Sequence, residues 1–189
     1  MTIELTHGFI KKAHDLPALL DGCVKMSTFM TRLERQAQLW PNRYSPNDYK
    51  GDGFELFVEA LIKLSPVDGR IAITDYTPGD PNRDNGIDGF GISMTGKKAG
   101  VQIKYRGDSR KDLTAKEDNL NSFMTEAYLE DIEKDRANLL IVTTAKGLNH
   151  YTDHEKFRGM VRCLGIKDLR SLVDNNNLFW DSFRKLVGV

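Results

Sequence analysis

Apolar and polar positions recur along this chain with two periods, and the switch between them marks out its elements. Leu16, Leu19, Leu20, Cys23 and Val24, then Met26, Phe29, Met30 and Leu33, return every three to four residues, the spacing of one buried helical stripe. Residues 8–40 therefore read as helical, until WPNRYSPND interrupts the pattern with Pro41 and Pro46. In GFELFVEALIKL, Phe54, Phe57, Val58 and Leu61 form a second helical stripe with Glu55 and Glu59 on its flank, and Pro66 and Gly69 end it. The period then drops to two: RIAITDY, IDGFGI and VQIKYR read as short strands, the first two separated by the turn-rich TPGDPNRDNG.

TAKE, from Thr114 to Glu117, has the pattern of a capping box and predicts a helix from there, with Leu120, Phe123, Met124, Ala127 and Tyr128 buried and Glu126, Glu130 and Asp131 facing out. NLLIVTTA is a continuous apolar run, as expected of a strand covered on both faces. VRCLG follows as a strand, and KDLRSLVD and LFWDSFRKLV as helices, the last burying Phe179, Phe183, Leu186 and Val187. Strands alternating with helices predict an α/β fold with a mixed central sheet flanked by helices. A helical arm over residues 1–48 would precede a core over residues 49–189. The arm's stripe is too apolar to stand alone in water, so it should pack on the core or on a second copy in a homodimer.

Charge and composition narrow the function classes. The 27 basic and 27 acidic residues among 189 cancel, which argues against a protein that coats nucleic acid or membrane. Locally the balance differs: residues 97–116 hold seven basic residues against Asp108 and Asp112, and residues 117–135 hold seven acids against Lys134. Cys23 and Cys163 are far apart with no zinc-ligand spacing around either, and His150 and His154 read as surface-loop residues. The sequence shows no membrane-length apolar run, and MTIELTHGF lacks the layout of a signal peptide. The expected location is a reducing, cytoplasmic one.

Candidate chemistry lies in VQIKYR, where alternation puts Gln102, Lys104 and Arg106 on one face. Asp88 ends the preceding turn-rich loop, and neighbouring strands can bring it beside Gln102 and Lys104. A carboxylate, an amide oxygen and the backbone carbonyl of Ile103 are hard ligands of the kind Mg²⁺ takes while keeping waters. Lys104 would then hold or deprotonate an attacking water, as in metal-assisted phosphodiester hydrolysis.

In order, Phe54–Glu55 on a helix, the GID turn (Gly86, Ile87, Asp88), QIK (Gln102, Ile103, Lys104) and TTA (Thr143 to Ala145) resemble the PD-(D/E)xK nuclease superfamily, most closely its Mrr-like restriction-endonuclease branch. The resemblance spans roughly residues 51–185. It implies a restriction-endonuclease-like core and divalent-metal-dependent DNA cleavage, with Mg²⁺ replaceable by Mn²⁺. It further implies Asp88 and Gln102 at the metal, Lys104 at the water and Glu55 as an accessory acid that also reaches the metal. Two positions depart from the commonest pattern. Ile87 stands where a Pro often precedes the Asp, and Gln102 where an acid is usual, as in the Mrr-like branch. Lys97, Lys98, Arg106, Arg110 and Lys111 are the expected DNA-phosphate contacts. The alternatives are a branched-DNA resolvase of Holliday-junction type, and an inactive nuclease-like module that binds DNA or protein.

Overall fold

A computed structural model describes residues 3–12, 15–39, 44–80, 86–114, 118–149, 157 and 159–189. In chain order its elements are α1 (Phe9–Lys12), α2 (Leu16–Leu20), α3 (Met26–Leu39), α4 (Pro46–Leu64), β1 (Ile73–Pro78), β2 (Gly89–Ser93), β3 (Lys98–Lys104), α5 (Leu120–Leu129), β4 (Leu139–Thr143), β5 (Arg162–Leu164), α6 (Ile166–Val173) and α7 (Asn177–Val187). The fold is mixed α/β, the class the periodicities predict. Two compact units divide it: residues 1–64 with 168–189, and residues 65–167. Among the described residues no helix is long and apolar enough to cross a membrane.

The first unit is helical. The continuous helix expected over residues 8–40 is instead three helices, with a break at residues 21–25 where Gly22 takes φ +61°. Periodicity misses this break because Leu19, Leu20 and Met26 on its two sides and Cys23 within it are all buried. Arg32 bridges it, donating from Nη1 to the carbonyls of Leu19 at 3.3 Å and Asp21 at 2.5 Å. α4 starts at Pro46, well before the expected GFELF, because proline's fixed φ and missing N–H suit the first helical turn. Gly53 lets α3 and α4 close up: a Cβ there would lie 2.5 Å from Leu33 Cδ1. The core is aromatic, with Phe29 stacked on Phe57 at 5.3 Å and Phe179 edge-on to Phe57 at 5.6 Å. Trp180 is fully buried and its indole N–H donates to the Val173 carbonyl at 2.8 Å, while Leu186 and Val187, expected inside, are half-buried.

The second unit is built on a five-stranded sheet in the order β1-β2-β3-β4-β5. β1–β2 and β2–β3 are antiparallel, and β3–β4 and β4–β5 parallel. β1 begins three residues later than RIAITDY suggests, because Asp68 caps Arg70 through its backbone N–H at 2.9 Å and its guanidinium. That hydrogen-bonded pairing holds the Asp68 carboxyl below its ordinary pKa. Every residue of β4 is buried, as its unbroken apolar run requires. α5 contributes Leu120, Phe123 and Ala127 to a core shared with Ile87, Leu139 and Ile141.

Two expectations for α5 are corrected. The helix starts at Leu120 rather than Thr114, since Asp118 turns inward to accept from the Thr114 amide at 2.6 Å and from Arg106 Nε at 2.7 Å. Glu117, the other half of the capping pattern, lies outside the described residues. Tyr128, expected in the buried stripe, is 70 % exposed.

Candidate active site

The loop into β2 delivers Asp88. Gly86 takes φ +80°, and a Cβ there would come within 2.6 Å of Ser122 Oγ, so no other residue fits this turn without movement. Asp88 is then fixed on both sides of its peptide: its N–H donates to the Val101 carbonyl at 2.8 Å, and its carbonyl accepts from the Gly79 amide at 2.8 Å. Its carboxylate Oδ2 accepts from the backbone N–H of Ile103 at 2.5 Å. Asp88 is thus anchored at the residue between Gln102 and Lys104.

Gln102 lies in β3 beside Ile141 of β4. Alternation puts it on the same face as Gly100, where a Cβ would meet Ile132, Ile87 and Leu139 side chains. Gln102 is fully buried there, and neither Oε1 nor Nε2 has a hydrogen-bond partner. Two other buried side-chain atoms lack partners, Asn138 Oδ1 and Arg162 Nε. Each of those groups is otherwise held, Asn138 Nδ2 by the Glu133 carbonyl and Arg162 by the carbonyls of Arg70 and Ala137. Burial, and then the charge of Arg136, lower the Arg162 pKa. Among the described residues only Gln102 has a wholly unpartnered buried amide. Lost hydrogen bonds at such a group cost about 1–3 kcal/mol, which a ligand or a water meeting the amide would offset.

Lys104 ends β3 opposite Thr143. Its ammonium makes no hydrogen bond or ion pair with any described residue. Asp88, just ahead of β2, is therefore held against the stretch of β3 that carries Gln102, Ile103 and Lys104. Asp88 meets Ile103 through the amide, leaving the Ile103 carbonyl as the expected ligand.

Glu55 belongs to the helical unit, where its Oε2 lies 3.0 Å from His7 Nε2. His7 Nδ1 accepts from the Phe9 amide at 3.2 Å, which leaves the ring proton on Nε2 to donate to Glu55. Glu59, read from sequence as the flanking twin of Glu55, is instead fully buried. It accepts from Thr6 N at 2.8 Å, Thr6 Oγ1 at 3.0 Å, His7 N at 2.9 Å and Lys63 Nζ at 2.7 Å. Nearby, burial first and the Glu55 charge second raise the Asp52 pKa, and the Tyr44 hydroxyl donates to its Oδ2.

The basic stretch is largely engaged within the chain. Lys97 pairs with Glu133, which raises the Lys97 pKa. Lys98 pairs with Glu130 at 2.6 Å and sits over the Phe90 ring. Arg110 pairs with Asp108 at 3.0 Å, and Arg106 with Asp118, which is 6 % exposed. Lys111 has no ion pair among the described residues. The sequence thus reads as two oppositely charged stretches whose members meet each other. Three of these pairs are exposed and hold little energy against a competing phosphate. The Arg106–Asp118 pair is different, since it closes the loop between β3 and α5 onto a buried carboxylate.

Cys23 and Cys163 are not joined in a disulfide. His150 and His154 lie outside the described residues. Among the described residues no three or more His, Cys, Asp or Glu side chains cluster as metal ligands. A site formed by one carboxylate, one amide and backbone oxygen suits a hard cation that keeps several waters better than a metal needing a full protein cage. Sequence reasoning missed His7 as the partner of Glu55 and the depth of Glu59. Only a signal of partner geometry would have found them, since spacing within α4 treats the two acids alike. No family model, no curated protein and no solved structure matches the chain.

Proposed function

We propose that the protein is a divalent-metal-dependent DNA endonuclease that works in the cytoplasm and hydrolyses phosphodiester bonds with a restriction-endonuclease-like core. The observation that carries this reading is the buried, unpartnered amide of Gln102, in the residue next to the Ile103 backbone N–H that anchors the Asp88 carboxylate. Asp88 and Gln102, with the Ile103 carbonyl, would hold Mg²⁺ or Mn²⁺, which when bound stabilises negative charge developing on the phosphate. Lys104, with no ion pair among the described residues, orients or deprotonates the attacking water. Lys111 and the exposed cations Lys97, Lys98 and Arg110 contact backbone phosphates, the last three after exchanging their carboxylate partners for DNA. Arg106 contributes to the same surface while holding its loop.

Cleavage of linear duplex, flapped and four-way DNA in Mg²⁺ or Mn²⁺ tests the reading. Asp88→Ala is expected to abolish cleavage and metal binding together while metal-free DNA binding persists. Lys104→Ala is expected to slow cleavage ~10²–10⁴-fold, the usual contribution of positioned proton transfer. Equal cleavage by both variants and the wild type puts the chemistry elsewhere. No cleavage of any substrate by the wild type leaves a nuclease-like binding module, the reading that the single carboxylate of this site favours. Preferential paired cuts in four-way DNA assign the resolvase.

A further inference from the structure

The end of β3 is held by more bonds than a strand end requires. Regular pairing of β3 with β4 stops at Lys104 opposite Thr143. Beyond it the hydroxyls of two fully buried threonines continue the registration. Thr143 Oγ1 donates to the Lys104 carbonyl at 2.7 Å and accepts from the Ala145 amide at 3.0 Å. The Thr144 amide donates to the same Lys104 carbonyl at 3.3 Å. Thr144 Oγ1 donates to the Arg106 carbonyl at 2.8 Å and accepts from the Arg106 amide at 2.6 Å. The backbone is therefore gripped at Lys104 and again at Arg106, on both sides of Tyr105.

Packing alone does not explain these residues. Val has nearly the shape of Thr and fills a core without a hydroxyl to satisfy, whereas a buried hydroxyl is costly unless bonded. Both hydroxyls use donor and acceptor capacity on main chain, and β-branching restricts the rotamers that aim them. What they fix is the residue whose ammonium makes no hydrogen bond or ion pair among the described residues, together with the strand's exit beyond it.

We infer that Thr143 and Thr144 are positioning residues for Lys104, setting where its ammonium stands relative to the Asp88–Gln102 pair. The inference rests on the nuclease reading of that site. Positioning matters at this scale because small displacements of a reacting group are felt strongly in rate. Thr143 acts through the Lys104 carbonyl, and Thr144 through its own amide on that carbonyl and its hydroxyl on Arg106. Neither touches substrate.

The test is a double-mutant cycle in the full chain, measuring Mg²⁺-dependent cleavage at saturating DNA, the Michaelis constant and melting for Thr143→Val, Thr143→Ser, Thr144→Val, Lys104→Ala and the Thr143→Val/Lys104→Ala pair. Thr143→Ala replaces Thr143→Val throughout if the valine protein does not fold. Thr143→Val is expected to lower turnover about 10- to 100-fold, within the contribution expected of Lys104, with the Michaelis constant unchanged. Thr143→Ser should recover it to within about threefold, and Thr144→Val should lower it less than Thr143→Val does. In the double variant the losses should overlap, leaving a rate close to that of Lys104→Ala alone. Losses that multiply, a serine variant as slow as the valine, or a Thr143→Val protein with full turnover each overturn the positioning role. Asp88→Ala, run alongside, keeps the two ideas apart. If Asp88→Ala also cuts at the wild-type rate, or the wild type does not cut, the site reading fails and takes the positioning role with it.

Discussion

Glu59 in α4 and Gln102 in β3 are both completely buried polar side chains, and the surroundings treat them in opposite ways. Glu59 accepts from four donors, two of them backbone amides of the segment that leads into α1. Gln102 has the same length and one less charge, yet its amide meets no partner. A buried carboxylate with its hydrogen bonds filled has no capacity left for a ligand, so Glu59 ties the N-terminal segment to α4. A buried amide with nothing filled destabilises the bare protein until something meets it. Burial by itself therefore does not separate the two residues, and the state of their hydrogen bonds does.

The contrast breaks most visibly on the Glu59 side. Glu59→Ala removes the acceptor of the part-buried Thr6 and His7 amides and of the Lys63 ammonium, and should cost about 3–5 kcal/mol, several hydrogen bonds to a charged group at about 1.5–3 kcal/mol each, read by urea unfolding. A cost below about 1 kcal/mol, the range of a surface pair, means the Glu59 network is not structural. Next, Gln102→Glu puts a carboxylate in place of the unpartnered amide. Without metal its stability should fall with rising pH by about 2–3 kcal/mol as the acid is forced to ionise, and saturating Mg²⁺ should restore it. Metal-independent melting of this variant would remove the cation from the proposal.

Smaller, and of opposite sign, is Gln102→Leu. It deletes the unpartnered atoms at nearly constant volume and should raise metal-free stability by about 1–2 kcal/mol, while cleavage is lost. A destabilised leucine variant shows that the amide is satisfied, by a buried water for instance, and the comparison with Glu59 collapses. The smallest effect concerns Asp52. Its folded-state pKa is raised by burial and by Glu55, so the folded chain holds this proton more tightly than the unfolded one. The contribution of this group to stability is full below the ordinary aspartate range and is lost as pH rises through it toward the raised value. Asp52→Asn should flatten that decline, by under about 1 kcal/mol given the group's partial exposure. An unchanged slope assigns the pH dependence to other carboxyls.

The legible parts of this chain were those where a single period governs a whole element. The stripe through Phe54, Phe57, Val58 and Leu61 found α4, and the apolar run Leu139–Thr143 found β4. Alternation in VQIKYR also put Gln102 and Lys104 on a common face, which the register of β3 against β4 bears out. The break at Gly22 and the late start of α5 were not legible, because each depends on a long-range bond: Arg32 reaching back across the break, and Arg106 drawing Asp118 inward. Nor does spacing separate Glu55 from Glu59. They sit one turn apart on α4, and only the chain segment around Thr6 and His7, far earlier in sequence, makes one a half-exposed partner of an imidazole and the other a sealed anchor.

The change of strand direction at β3 sets an order of assembly. β2 and β3 join through the tight connection of residues 94–97, so their pairing, and with it the Asp88–Ile103 contact, closes a short loop and forms among the earliest nonhelical contacts. β3 meets β4 only after the crossover of residues 105–138 has been laid down. The clasp of Thr143 and Thr144 on Lys104 and Arg106 then belongs to the late, slow steps that sequence-distant parallel pairing imposes. In pulse-labelled hydrogen exchange during refolding, the Ile103 amide should gain protection before the Arg106 amide does. A chain caught between those two events holds its candidate ligands assembled while the lysine beside them is still loose, so competence for a cation should precede competence for catalysis.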